Sequence, residues 1–281
     1  MPESTQKTCR IDTTGDPDCL RLLQLTDTHL CAETGGTLLD MDTDSSLQLV
    51  IAQALRERGN PDAVLCTGDL SDRGSRAAYQ RLEGYLQAIA APSFWLPGNH
   101  DDRGEMLAAT RDKHRLPGEI RGGQWQIIML DSQIPGEVGG QLGENELQRL
   151  ASTLEAGRQE GLHALVCLHH QPVRIGSAWI DEQMVADAEQ FWRLLDGHDS
   201  VKAVLWGHVH QQIDRHHNAI ALMASPSTCV QFAPGSTDFK ADDKPPGYRW
   251  LDLCADGSIK TGVSRVTDAE FTVDLESGGY L

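Results

Sequence analysis

Five short apolar runs recur along the chain, and each stops at polar residues able to hold a metal ion or move a proton. Leu22-Leu23-Gln24-Leu25 leads into Asp27-Thr28-His29, Ala63-Val64-Leu65-Cys66 into Gly68-Asp69, and Phe94-Trp95-Leu96 into Pro97-Gly98-Asn99-His100-Asp101. Leu165-Val166-Cys167-Leu168 leads into His169-His170, and Ala203-Val204-Leu205-Trp206 into Gly207-His208-Val209-His210. Apolar runs of this length, closed by Gly, Pro or polar residues, predict buried strands. Between them apolar residues recur at helical spacing. Leu47, Val50, Ile51, Ala54 and Leu55 follow an expected cap at Asp44, and Tyr79, Leu82, Leu86 and Ile89 are stopped by Pro92. Leu147, Leu150 and Leu154 form a third stripe, and Ala188, Phe191, Trp192 and Leu195 a fourth. Strands alternating with amphipathic helices predict an α/β fold, where ligands gather at the carboxyl ends of the strands.

Gln126 to Leu130, Ile220 to Ala224 and Arg249 to Cys254 predict further strands, whereas residues 103 to 123 carry no period and are expected to be loop with a short helix. Residues 225 to 248 form a long connection with four prolines, a type of loop that commonly shapes a substrate pocket. Residues 1–19 are polar and turn-rich, which predicts a flexible tail. No repeat, low-complexity stretch or linker follows, so 20–281 is expected to be a single domain.

Composition narrows the partners. The hydrophobic class makes up 40% of the chain, alongside 27 glycines, an ordinary globular balance. A net charge of -17 and a pI near 4.9 oppose nucleic acid and anionic membrane as partners, and a phosphate substrate would be repelled unless cations sit in the site. No run approaches the roughly 18 apolar residues that span a bilayer, and Met1 to Asp18 lacks a signal-peptide core, so a cytoplasmic monomer or homodimer is expected. Cysteines stand at 9, 19, 31, 66, 167, 229 and 254. Their odd number and lack of close pairing predict reduced thiols and no disulfide framework, with Cys66 and Cys167 in the core. His114, His163, His198, His216 and His217 lie in polar surroundings and are expected at the surface.

The strand ends assemble Asp27, His29, Asp69, Asn99, His169, His208 and His210, a mixture of carboxylate, imidazole and amide donors. Such donors suit iron, manganese, zinc or cobalt better than calcium or magnesium, and seven are too many for one tetrahedral site. Two divalent or mixed-valence ions about 3.5–4 Å apart would use them all. Asp-x-His or Gly-Asp alone is weak, since both occur in ordinary turns. Gly-His-Val-His is more specific, because alternating side chains point to one side, and Pro-Gly-Asn-His-Asp is strong. Five such elements in order, each at a strand end, make accident implausible.

These motifs resemble those of the calcineurin-like metallophosphoesterases: Asp-x-His, Gly-Asp, Gly-Asn-His-Asp, His and Gly-His-x-His. Residues 25–30, 95–101, Leu130-Asp131-Ser132-Gln133 and 226–232 (Pro-Ser-Thr-Cys-Val-Gln-Phe) are similar to the bacterial 3′,5′-cyclic-AMP phosphodiesterases of that superfamily. The resemblance runs from about residue 20 to the C-terminus and implies a four-layer α/β/β/α sandwich. It also implies one metal held by Asp27, His29, Asp69 and His210 and another by Asp69, Asn99, His169 and His208, Asp69 bridging. Substrate contacts are implied at His29, Asn99, His100, His169 and His210. In the fourth motif, His169-His170-Gln171-Pro172, proline comes later than in many relatives. His169 is the expected ligand and His170 the alternative, because side chains alternate along an extended segment.

The chemistry implied is hydrolysis of the small molecule cyclic AMP to 5′-AMP, by in-line attack of a hydroxide bridging the metals. His100, beside Asn99, is placed to protonate the leaving ribose oxygen, while Asp101 is expected either to orient that imidazole or to cap the next helix. Other readings are a broad phosphodiesterase for 2′,3′-cyclic nucleotides or glycerophosphodiesters, and a non-catalytic binding module, against which the full donor set argues. A metallo-β-lactamase type of site lacks its His-x-His-x-Asp-His cluster, since Gln211-Gln212 follow His210.

Overall fold

The computed structural model describes residues 8–13, 15, 18–110, 112 and 114–279. In chain order the elements are β1 (Thr8–Arg10), β2 (Cys19–Leu25), β3 (Thr37–Leu38), β4 (Met41–Asp42), α1 (Thr43–Arg58), β5 (Ala63–Thr67), α2 (Arg76–Leu86), β6 (Ser93–Leu96) and α3 (Arg103–Ala109). Next come β7 (Glu119–Gly122), β8 (Trp125–Met129), α4 (Gly143–Gln159), β9 (His163–Cys167), α5 (Ala178–Asp181), α6 (Ala188–Leu195) and β10 (Val201–Trp206). The chain closes with β11 (Ile213–His217), β12 (Ile220–Ala224), β13 (Gln231–Phe232), β14 (Ala241–Asp242), β15 (Gly247–Cys254) and β16 (Ile259–Arg265).

Two sheets form the centre. One has the order β16-β15-β2-β5-β6, with β2, β5 and β6 parallel; the other runs β1-β7-β8-β9-β10-β12-β11, with β8, β9, β10 and β12 parallel. Because side chains alternate along a strand, Leu22 and Leu65 point inward with Ile127, Leu165 and Leu205 of the facing sheet. Leu23, Val64 and Trp95 point outward and pack under Leu47, Val50, Tyr79 and Leu82 of α1 and α2. On the opposite outer face Ile128, Val166 and Val204 meet Leu150, Leu154, Phe191 and Leu195 of α4 and α6. The result is four layers, α/β/β/α. Coverage on both faces explains why the central strands are continuous apolar runs rather than alternating ones.

Several local expectations are corrected. Asp42, not Asp44, caps α1, its carboxylate accepting the Ser45 N–H at 2.9 Å. Asp44 instead pairs with Arg81 at 2.9 Å and accepts the Tyr85 hydroxyl. The tail reading fails for Thr8–Arg10, which pair with β7, and for Ile11, which is buried; residues 1–7 lie outside the described residues. A three-residue strand is too short to show a period. Residues 103 to 123 hold α3 and also β7.

Cys19 and Cys254 form a disulfide, against the expectation of none. They face each other where β2 and β15 run antiparallel, and a sequence separation of 235 hides that register from any local spacing. Cys66 and Cys167 are buried as expected, and burial pushes the Cys66 thiol up to about 12. His114 and His216 are exposed, but His163, His198 and His217 are half-buried, His217 lying against Trp192 and Asp196. Among the described residues no helix is long and apolar enough to cross a membrane.

Candidate metal centre

The strands β2, β5, β6, β9 and β10 end along one edge, and the loops that leave them are knitted together by their backbones. Asp27 and His29 donate their N–H groups to the carbonyls of Gly68 and Asp69, each at 2.9 Å. The close approach fixes residue choice: a Cβ on Gly98 would collide with the backbone and carboxylate of Asp69, and one on Gly68 with the His169 ring. Five residues of this edge have left-handed backbones, Asp27 (φ 54), His29 (φ 44), Asp69 (φ 51), His208 (φ 64) and His210 (φ 48). Non-glycine residues held there cost roughly 1–3 kcal/mol each, and such strain concentrates at functional sites.

That conformation turns the side chains toward one another. Asp27, His29 and His210 offer ligand atoms within 4.8 Å of each other, as do His169, His170 and His208, and also Asp27, Asp69 and His169. One carboxylate oxygen, Asp69 Oδ2, joins the groups: it lies 3.1 Å from His169 Nε2 and 3.8 Å from His29 Nε2. Asn99 Oδ1 is 3.2 Å from the same His169 nitrogen. All the donors except Asn99 are buried.

The hydrogen bonds around the rings show what fits between them. His169 Nδ1 lies 2.8 Å from the Thr67 carbonyl, and His210 Nδ1 2.7 Å from that of Val230. A carbonyl only accepts, so each Nδ1 carries a proton and Nε2 is the nitrogen turned toward the other donors. His210 Nε2 faces His29 Nε2 at 3.3 Å, and His208 Nε2 is buried with no hydrogen-bond partner among the described residues. Burial lowers the pKa of His29 and, further, that of His208, which keeps both in the neutral, ligating form. Burial alone would raise Asp69, but His169 and His100 hold it well below the usual carboxylate range. His169 responds oppositely: burial disfavours its charge, and Asp69 overrides this to bring it to about 9. A buried carboxylate, imidazole nitrogens turned toward one another and a proton drawn into the gap are the surroundings of a cation. The residues fit metal ions.

The region from residue 20 to residue 212 matches the family model described as calcineurin-like phosphoesterase. The chain belongs to that family. It is 44% identical to the 3′,5′-cyclic adenosine monophosphate phosphodiesterase CpdA of Pseudomonas aeruginosa over 259 residues, 92% of this chain and 94% of the relative. Identity to the protein of the same name from Escherichia coli (strain K12) is 39%, over 93% of this chain and 95% of that one. Among solved structures, a dimetal phosphatase from Danio rerio covers 89% of this chain and all of its own, with a TM-score of 0.62 at 15% identity, a likeness of fold.

Within this calcineurin-like site the seven expected donors stand together, and His100 joins them. Its backbone N–H donates to Asp69 Oδ1, its Nδ1 lies 2.8 Å from the Asp72 carbonyl, and its ring packs edge-on to His29. Both readings of Asp101 are corrected. Its carboxylate accepts the N–H groups of Leu70, Ser71 and Gly98 and the Tyr79 hydroxyl, and Asp102 caps α3. Asp101 therefore staples the Asn99 loop to the Asp69 loop. The backbone N–H groups that hold this carboxylate come from two loops and are brought together only by the fold. His170 is also in the cluster, with Nδ1 2.8 Å from Ser132 Oγ. Asp72, Ser132 and Phe232, the last stacked on His210 at 4.0 Å, escaped sequence reasoning as site residues. Only their place within or beside the motifs could have pointed to them.

Proposed function

We propose that the chain hydrolyses 3′,5′-cyclic AMP to 5′-AMP at a centre of two transition-metal ions drawn from iron, manganese, zinc and cobalt. The observation that carries the reading is the convergence of all seven donors on one sheet edge in a chain 44% identical to a cyclic AMP phosphodiesterase. Asp27, His29, Asp69 and His210 would hold one ion and Asp69, Asn99, His169 and His208 the other. His169 is preferred to His170 because its Nε2 faces both Asp69 and Asn99. When bound, the ions supply a nucleophile from water at neutral pH and offset charge on the phosphoryl oxygens, which answers the repulsion from a chain of net charge -17.

The protein's own residues do the rest. The Thr67 and Val230 carbonyls fix two imidazoles, and the backbone N–H groups of His208 and His100 hold the Asp27 and Asp69 carboxylates. His29, Asn99, His169 and His210 border the place of the phosphate. The Asp72 carbonyl orients His100 through Nδ1, leaving Nε2 to donate a proton to the 3′ oxygen as the P–O3′ bond breaks and water's oxygen bonds to phosphorus. The metal-reconstituted protein is tested on cyclic AMP, cyclic GMP, 2′,3′-cyclic AMP and a nitrophenyl diester, with products separated by chromatography. The first should give 5′-AMP. Robust cleavage of the aryl diester with no 5′-AMP would replace this reading with that of a broad phosphodiesterase.

A further inference from the structure

Beside the metal centre opens a cavity of about 350 Å³ with Asn99 and His100 at one end and Val138, Trp179, Gln183 and Phe239, together with Gly278 and Gly279 of the C-terminal segment, lining the rest. The volume suits a small ligand. Its two ends differ in chemistry: the first belongs to the phosphate site, and the second is aromatic and aliphatic with one amide. Trp179 and Phe239 are half-buried and meet edge-to-face at 5.3 Å, both resting on the buried Phe232 at 5.3 and 5.4 Å. Phe232 in turn stacks on His210. Trp179 Nε1 donates to Ser236 Oγ at 3.1 Å, so the indole is fixed before any ligand arrives. Gln183 has its backbone tied to Ile180 and Gly140, whereas its amide makes no hydrogen bond to a described residue.

We infer that this cavity seats the base of the cyclic nucleotide, with Trp179 and Phe239 as its aromatic walls and Gln183 as the group that selects adenine. The inference rests on the cyclic-nucleotide reading above and deepens it, because the metal donors can read only the phosphate. Fixed half-buried rings bind bases through stacking, which is sequence-tolerant and cannot distinguish purines. An amide can. It offers one donor and one acceptor, which matches the N6 amino group and N7 of adenine, whereas guanine presents two acceptors there.

The test compares kcat/KM of the metal-reconstituted wild type with Trp179→Ala, Phe239→Ala and Gln183→Leu on three substrates: cyclic AMP, cyclic GMP and the base-free ribose 3′,5′-cyclic phosphate. Stacking supplies a factor of roughly ten to a hundred, so the preference for cyclic AMP over the base-free ester should shrink by about that factor in each aromatic variant, through KM. Gln183→Leu should lower the preference for cyclic AMP over cyclic GMP about tenfold. An unmoved ratio in both aromatic variants would overturn the base site, and an unmoved ratio in Gln183→Leu would overturn its role in selection. Should the wild type leave cyclic AMP intact, the function reading fails and the cavity is tested separately by calorimetric titration with 5′-AMP. Binding weakened in Trp179→Ala and Phe239→Ala then sustains the base site; equal binding, or none in the wild type, overturns it.

Discussion

Two layers of buried polar side chains lie one beyond the other along the strands, and they are wired in opposite ways. In the inner layer, within the strands, Gln24 donates to Thr67 Oγ1 and to the Trp206 carbonyl and accepts from Ser225. Arg249, fully buried, donates to Ser225, Asp214, Thr261 and the carbonyls of Ile213 and Ala224, tying one sheet to the other. In the outer layer, a few residues further along the same strands, histidine ring nitrogens converge on one another and on carboxylates, and backbones are strained. The fold is therefore able to satisfy buried polar groups at this depth. In the outer layer His208 Nε2 and His170 Nε2 are buried with no hydrogen-bond partner among the described residues, which is the expectation for groups whose partner is a cation.

Breaking the outer layer should cost activity; breaking the inner should cost stability. The largest effect is expected for Asp69→Asn, which alters both donor groups at once. Its loss of cyclic AMP turnover should exceed the roughly 10–100-fold typical of removing an outer-shell partner, measured as kcat after reconstitution. His100→Ala should keep both metals and lower kcat on cyclic AMP by roughly 10²–10⁴-fold, with a much smaller loss on a nitrophenyl diester, whose leaving group departs without a proton. Equal losses on both substrates would make His100 a phosphate-binding donor instead.

For the inner layer, Arg249→Met leaves the Ala224 and Ile213 carbonyls without their donor. Its charged partner Asp214 is nearly half exposed, so the cost lies in the two buried acceptors, about 1–3 kcal/mol each, which in a chain of this size lowers Tm by about 5–10 °C while the metal count stays the same. A normal Tm with metal lost would erase the distinction between the layers. Tyr79→Phe should have the smallest effect. It removes one hydroxyl from Asp101 and Asp102, a loss of about 1–2 kcal/mol in denaturant unfolding.

The donors were legible because each directly follows a buried strand, so apolar pattern and motif located them together. What escaped depends on contacts made far away in sequence. The aim of Asp101 is decided by N–H groups of residues 70 and 71, about thirty positions upstream. The cap of α1 moved two residues because Asp44 found Arg81. β11 carries a polar, largely exposed Ile-Asp-Arg-His-His sequence and is held as a strand only by its neighbour β12. β16 is likewise an edge strand with Gly262 in its middle and no buried residue to mark a period. The four-layer arrangement came through the family resemblance, since periodicity predicts elements but not which sheets face each other.

Metal counting on purified variants is the most direct test of the claim that the outer layer is a two-cation site bridged by Asp69. Wild type, Asp69→Asn and His210→Ala are each saturated with manganese, desalted and analysed by mass spectrometry for ions per chain. The account predicts two ions in the wild type and a more complete loss in Asp69→Asn than in His210→Ala, because only the first change reaches both donor groups. Two ions retained by Asp69→Asn while His210→Ala loses both would contradict it.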